Sequence, residues 1–175
     1  MSRPADSVSI PWGDLARGGV VGGLAGGIIL AMFMMIVTGL KGVGLLRPLY
    51  LVAATFHSQW AMVKGVEIFP ILVGLMFHMM NSAIFGLIFA LVLGAILRER
   101  SAVVTMWVVG GVVWGLILFI VNQYVILPLV DPAMAMGAAT VLFWWIVAHL
   151  MYGFVLGVLV ASPVGVRRMV AAAGR

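Results

Sequence analysis

Cysteine is absent from this chain, which excludes disulfides, thiolate metal sites and a cysteine nucleophile. Charge is scarce as well: 9% of the 175 residues are Asp, Glu, Lys or Arg, against about a quarter in a soluble domain. So few charged groups cannot cover a surface facing water, and the outside of the fold must meet lipid. No carboxylate falls inside a long apolar run, since Asp14, Glu67, Glu99 and Asp131 all flank run ends. That argues against a carboxylate-driven proton or sodium antiporter. There is no phosphate-binding loop, nucleophile elbow or zinc-protease motif, so no enzyme is expected. Nor does the start of the chain resemble a cleaved leader. Met1 to Arg17 contains Asp6, Asp14 and two prolines, and no small-residue cleavage site follows a short apolar stretch.

What is there is apolar. Hydrophobic residues make up 65% of the chain and the mean hydropathy is +1.25. Four continuous runs of about twenty residues or more, without strict alternation, require helices and not a barrel, because backbone amides in hydrocarbon need internal partners. The spans are expected at 18–40, 69–97, 102–127 and 137–161, with 1–17 as an N-terminal cytoplasmic or interfacial segment and 162–175 as a basic cytoplasmic tail. Ser9 is expected as the N-cap of the entry helix, with Pro11 in its first turn, Asp14 near the positive dipole end and Trp12 at the headgroups. Only Arg98 to Ser101 separates the second and third runs, which predicts a tight antiparallel hairpin. Tyr124 to Met136, with Pro128, Asp131 and Pro132, predicts a turn. The longer connection, Lys41 to Ile68, is too apolar for a solvated loop. Pro48 to Phe56 predicts a short helix lying in the interface or over the bundle mouth.

The net charge of +5 is a topology signal and not a nucleic-acid footprint. Arg3, Arg17, Arg98, Arg100, Arg167, Arg168 and Arg175 flank one set of span ends, and Lys41, Arg47 and Lys64 the other. The excess of basic residues predicts both termini in the cytoplasm of a multi-pass protein of a bacterial-type inner or cell membrane.

The chain also repeats itself. Gly22, Gly23 and Gly27 match Gly110, Gly111 and Gly115, and His78, Ser82, Gly86 and Ala90 match His149, Gly153, Gly157 and Ala161 at the same spacing. The fold expected is therefore an all-α, four-transmembrane-helix bundle of two tandem helical hairpins, parallel repeats, with a short extra interfacial helix in the first outer connection. The small-residue rows are read as surfaces for close helix packing.

His78 and His149 are the candidate functional residues, each expected near the bilayer midplane and facing the bundle interior. Asn81 and Tyr152, three residues further on, lie on the same faces as hydrogen-bond neighbours of the imidazoles. Three uses compete: neutral imidazoles bonding groups on adjacent helices, a pair of ligands for a b-type haem, or polar stations for a proton or small solute. The structural use leads, because duplication copies a structural histidine as faithfully as a functional one. Asn122, Gln123 and Tyr124 are read as the water boundary of the third span. His57 is read as solvated, Trp60, Trp107, Trp144 and Trp145 as interface anchors or lipid-facing bulk, and Met32, Met34, Met35, Met76, Met79 and Met80 as apolar filling in preference to copper ligands.

The expected function is that of a non-catalytic integral membrane protein, an accessory or structural subunit of a larger assembly or homo-oligomer. Its partner is then the bilayer, without cofactor, metal or nucleic acid. The alternative is a haem b-binding or small-solute or proton translocation module using His78 and His149.

Overall fold

The computed structural model describes residues 11–97 and 104–173, with side chains to residue 162. All regular structure among the described residues is helical, and four helices are long and apolar enough to cross a membrane. In chain order the elements are α1 (Trp12–Leu40), α2 (Arg47–Ala54), a 3-10 turn (Ser58–Met62), α3 (Ile68–Leu97), and α4 (Val104–Val121), which runs through a π turn (Asn122–Ile126) into α5 (Leu127–Val130). After Asp131 come α6 (Pro132–Ala139) and α7 (Leu142–Ala173).

The entry segment is not a separate turn. α1 begins at Trp12 with Pro11 as its cap, so the proline stands before the first turn and not in it; Ser9 lies outside the described residues. At its other end α1 closes in a Schellman motif. Gly42 takes φ +71°, and the Val43 amide donates to the Thr38 carbonyl at 2.9 Å.

Helix packing follows the small residues. α1 packs on α3, α1 on α7, and α7 on α4. At these crossings a Cβ added to Gly23 would meet the Ser82 carbonyl oxygen and Gly86 Cα, and one on Gly111 would meet the Gly153 carbonyl oxygen and Gly157 Cα. Backbones approach this closely only where one side has no side chain. The backbones of α3 and α4, in contrast, stay apart, and these helices meet through large side chains, Phe89 lying against Trp107 and Trp114. The expected tight hairpin between them is therefore not a close backbone crossing, and the turn itself, Arg98 to Ser101, lies outside the described residues. Glycine explains the difference, since the rows on α3 and α4 are spent on α1 and α7.

The region from Tyr124 to Met136 corrects the expectation of a turn. Pro132 starts a helix, sitting in the first turn of α6, where it lacks only an N–H that has no helical partner anyway. Pro128 instead lies within the continuous helical run from Val104 to Val130, directly after the π turn. The clash of Pro128 with the helix before it is relieved by the π turn, which widens the backbone. Asp131 breaks the path and caps α6, its Oδ1 accepting from the Met134 amide at 2.9 Å.

In the first connection, α2 begins with Pro48 in its first turn, and Leu49 through Ala54 are buried. α2 crosses α3 at Gly74, where a Cβ would run into the Leu49 carbonyl. The Tyr50 hydroxyl donates to the Gly65 carbonyl at 2.9 Å and accepts from the Glu67 amide at 3.0 Å, fixing the chain before it enters α3.

Outward faces are apolar. On α3, Leu72, Leu75, Met76, Met80, Ile84 and Ile88 are exposed at helical spacing, a stripe for lipid contact. The tryptophans divide. Trp144 is exposed as expected, but Trp107 is fully buried against Phe89 and Trp145 is buried beside His149, so these two belong to the core.

Candidate functional site

The four long helices and the two short outer ones line a half-open chamber of about 430 Å³. α3 supplies Phe77, His78, Asn81, Ser82 and Phe85, and α7 supplies Trp145, His149 and Tyr152. Leu30 of α1, Leu118 of α4 and Asn122 of the π turn complete the sides, and Val52 and Thr55 from the α2 end with Met134 of α6 form the roof. The size is that of a small-molecule site, and so is the lining, mainly apolar with a few polar groups.

Both histidines line this chamber, as do Asn81 and Tyr152. The imidazoles are held in different ways. His78, half-buried, places Nε2 2.9 Å from the Gly27 carbonyl of the neighbouring α1. His149, buried, places Nδ1 2.9 Å from the Trp145 carbonyl one turn back on its own helix. A carbonyl can only accept, so each of these nitrogens carries the hydrogen. The His149 ring is further fixed edge-to-face by Trp145 at 4.4 Å and Phe119 at 5.9 Å between centroids. His78 lies ten residues into α3 and His149 seven into α7, which puts them about 15 and about 10 Å along their helices.

Tyr152 does not hold an imidazole. Its hydroxyl reaches across to the Ser82 carbonyl of α3 at 2.8 Å, while Ser82 Oγ donates to the His78 carbonyl at 2.8 Å. The side chain of Asn81 makes no hydrogen bond among the described residues and is free to face the chamber.

The group expected at the water boundary splits. Tyr124 is exposed, but Asn122 lines the chamber and Gln123 is buried, its Nε2 donating to the Ala135 carbonyl at 3.1 Å. The helix turns two of three polar residues inward because α6 folds back over them. Asp131 was read from sequence as a flanking acid, yet it is 3% exposed. Its Oδ2 accepts from Thr55 Oγ1 at 2.9 Å, so the two outer connections clasp one another over the chamber. The available signal was the Asp131-Pro132 pair, a helix start with an N-cap.

The remaining candidates do not join the site. His57 is exposed and stacks edge-to-face on Trp60 at 5.2 Å. Met34 is buried whereas Met32, Met76 and Met80 are exposed, so the thioethers do not converge. Among the described residues no three His, Asp or Glu side chains are placed to share a metal ion.

Compared with protein-family models, with curated proteins and with solved structures, the chain shows no match.

Proposed function

We propose that this chain is a non-catalytic membrane protein that holds a small molecule within the bilayer, in the chamber lined by His78 and His149. The observation that carries the reading is the chamber itself: about 430 Å³, apolar, with two imidazoles and two unbonded amides on its wall. This develops the small-solute alternative of the sequence. The haem alternative draws no support from the geometry, since both Nε2 atoms would be needed on one iron and that of His78 is occupied by the Gly27 carbonyl.

A subunit role in a larger assembly is the second reading, favoured by the scarcity of structure outside the four spans. Its other support from sequence, the small-residue rows, is weaker here. Those glycines meet α1, α3, α4 and α7 of the same chain and leave no comparable face for a partner helix.

We further read the two halves as parallel repeats. Gly19, Gly23 and Gly27 correspond to Trp107, Gly111 and Gly115 at one constant offset, and Ser82 and Gly86 to Gly153 and Gly157 at another. A Cβ on Gly86 would meet the Gly19 carbonyl, and one on Gly157 the Trp107 carbonyl, so corresponding residues meet in corresponding contacts. The burial of α2 supports its role as a cover over the bundle mouth in preference to a helix lying flat in the interface. With both termini cytoplasmic in a bacterial-type inner membrane, the chamber opens in the outer half of the bilayer.

Native mass spectrometry of the protein released from nanodiscs tests the main reading. One small molecule per chain is expected, reduced in Leu118→Trp and in Val130→Trp, which fill the chamber from its wall and its rim. No adduct in the wild type, or an adduct indifferent to both variants, removes the reading. The absorption spectrum of the same sample is expected to lack a Soret band. A band lost in both His78→Ala and His149→Ala would restore haem. Because the chain has no cysteine, single cysteines report topology directly. Ser58→Cys is expected to react with an impermeant maleimide from outside intact cells and Ser162→Cys only after lysis. The reverse pattern inverts the orientation.

A further inference from the structure

The hydroxyl and imidazole protons around the chamber are already given to the protein. Thr55 Oγ1 donates to Asp131 Oδ2, Ser82 Oγ to the His78 carbonyl, and Tyr152 Oη to the Ser82 carbonyl. His78 Nε2 donates to the Gly27 carbonyl and His149 Nδ1 to the Trp145 carbonyl. Each of these five groups has only lone pairs left to offer. For the imidazoles these sit on His78 Nδ1 and His149 Nε2, neither of which has a partner among the described residues. The amides of Asn81 and Asn122 still have N–H to give alongside an acceptor oxygen, and the indole N–H of Trp145, buried without a partner, is one further donor in the wall.

A wall so rich in acceptors discriminates between ligands. A molecule whose polar atoms are acceptors alone, such as an ether or an ester, leaves both imidazole lone pairs desolvated and unpaired, which is costly in an apolar site. A molecule that brings a donor satisfies at least one of them. Ammonium groups and hydroxyls both do so, but a buried positive charge needs a counter-charge. The wall has no carboxylate, and Asp131, just behind the roof, is occupied by Thr55 and the Met134 amide.

Resting on the chamber reading above, we infer that the ligand is an uncharged, membrane-dissolved molecule with a hydroxyl head: a long-chain alcohol, a phenol or a quinol. Its O–H donates to the free nitrogen of His149 or His78, and its oxygen accepts from Asn81 or Asn122. The rings of Phe77 and Phe85 and the side chain of Leu118 surround its apolar body.

The test uses the full chain in nanodiscs with hexadecanol carrying a diazirine, its methyl ether and the corresponding amine, with the photoreactive group at the same carbon in all three. Cross-links are mapped by mass spectrometry. The alcohol is expected to label chamber residues about fivefold more than the ether, the worth of one net hydrogen bond. That preference should shrink in His149→Phe, which keeps an aromatic ring in place, and vanish when His78→Leu is added. If the double variant does not fold, the wild-type ratio of alcohol to ether decides alone. Chamber labelling that is equal for alcohol and ether, or strongest for the amine, overturns the hydroxyl assignment and leaves the chamber standing. If none of the three labels the chamber, the chamber reading falls, and this inference falls with it.

Discussion

The pair formed by α1 and α3 and the pair formed by α4 and α7 cross through glycines in the same register, yet their polar groups are spent differently. In the first pair His78 reaches across to the backbone of the neighbouring helix, and Asn81 keeps its amide unbonded at the chamber. In the second, His149 folds back on its own helix between two aromatic rings, and Tyr152, at the position corresponding to Asn81, ties α7 to α3. Serine at position 82 separates the pairs further, since its counterpart Gly153 has no side chain. Backbone proximity is thus common to both pairs, while hydrogen bonding is particular to each. The second pair is the rigid wall of the chamber, and the first presents the more available polar groups.

The comparison breaks most forcefully at the crossings. Gly23→Ala places a methyl group on the Ser82 carbonyl, and Gly111→Ala places one on the Gly153 carbonyl. Neither obstacle is a flexible side chain, so the helices must part. Each substitution is expected to destabilise the bundle by about 1–3 kcal/mol, measured by steric trapping or by an unfolding curve in SDS-containing micelles. Near-equal losses support equivalence of the two crossings; tolerance at one site alone would show that only the other pair is tight. Gly13→Ala, which meets nothing within 4 Å, is the control and should be close to neutral.

The roof comes next in size. Asp131→Ala removes the α6 cap and the acceptor of the Thr55 hydroxyl together. A loss of about 1–2 kcal/mol is expected from the cap, read as faster hydrogen exchange at the Met134 amide and its neighbours. Thr55→Val breaks the clasp and keeps the cap, so it should leave the Met134 amide protected while speeding exchange in α2. Equal acceleration in both variants would mean that the roof opens as one unit and the clasp, not the cap, holds it.

How far the sequence was legible follows from where each signal resides. The four long helices were readable because twenty apolar residues in lipid have few alternatives. The glycine crossings were readable as rows, and His78, His149, Asn81 and Tyr152 as sharing an interior, because spacing on a helix is geometry. Which helices the rows join was not readable. Arg98 to Ser101 is short enough to pair α3 with α4, but glycines on α1 and α7 take those faces first. Pro128 and Pro132 misled for different reasons: the π turn carries the helix past the first, while the second begins a helix that only Asp131 ahead of it signalled. Trp107 and Trp145 were misplaced because an indole suits an interface and a core alike. The chamber was illegible altogether, being bounded by α2 and α6, whose positions depend on tertiary contacts.

The smallest expected effect tests the finest part of the comparison. Tyr152→Phe deletes the hydroxyl that reaches the Ser82 carbonyl and leaves the ring, which packs against Gly26. The Ser82 carbonyl can still accept from its own helix, so no buried acceptor is stranded. A loss of about 0.6 kcal/mol is expected, the average for a side-chain hydrogen bond within a membrane bundle. The same loss should persist in a Ser82→Ala background, because the tyrosine bonds the backbone of residue 82 and not its side chain. If Ser82→Ala abolishes the effect, the hydroxyls of Tyr152 and Ser82 act as one network with the His78 carbonyl. The first pair would then be as firmly held as the second, and the distinction between a rigid and an available wall would disappear.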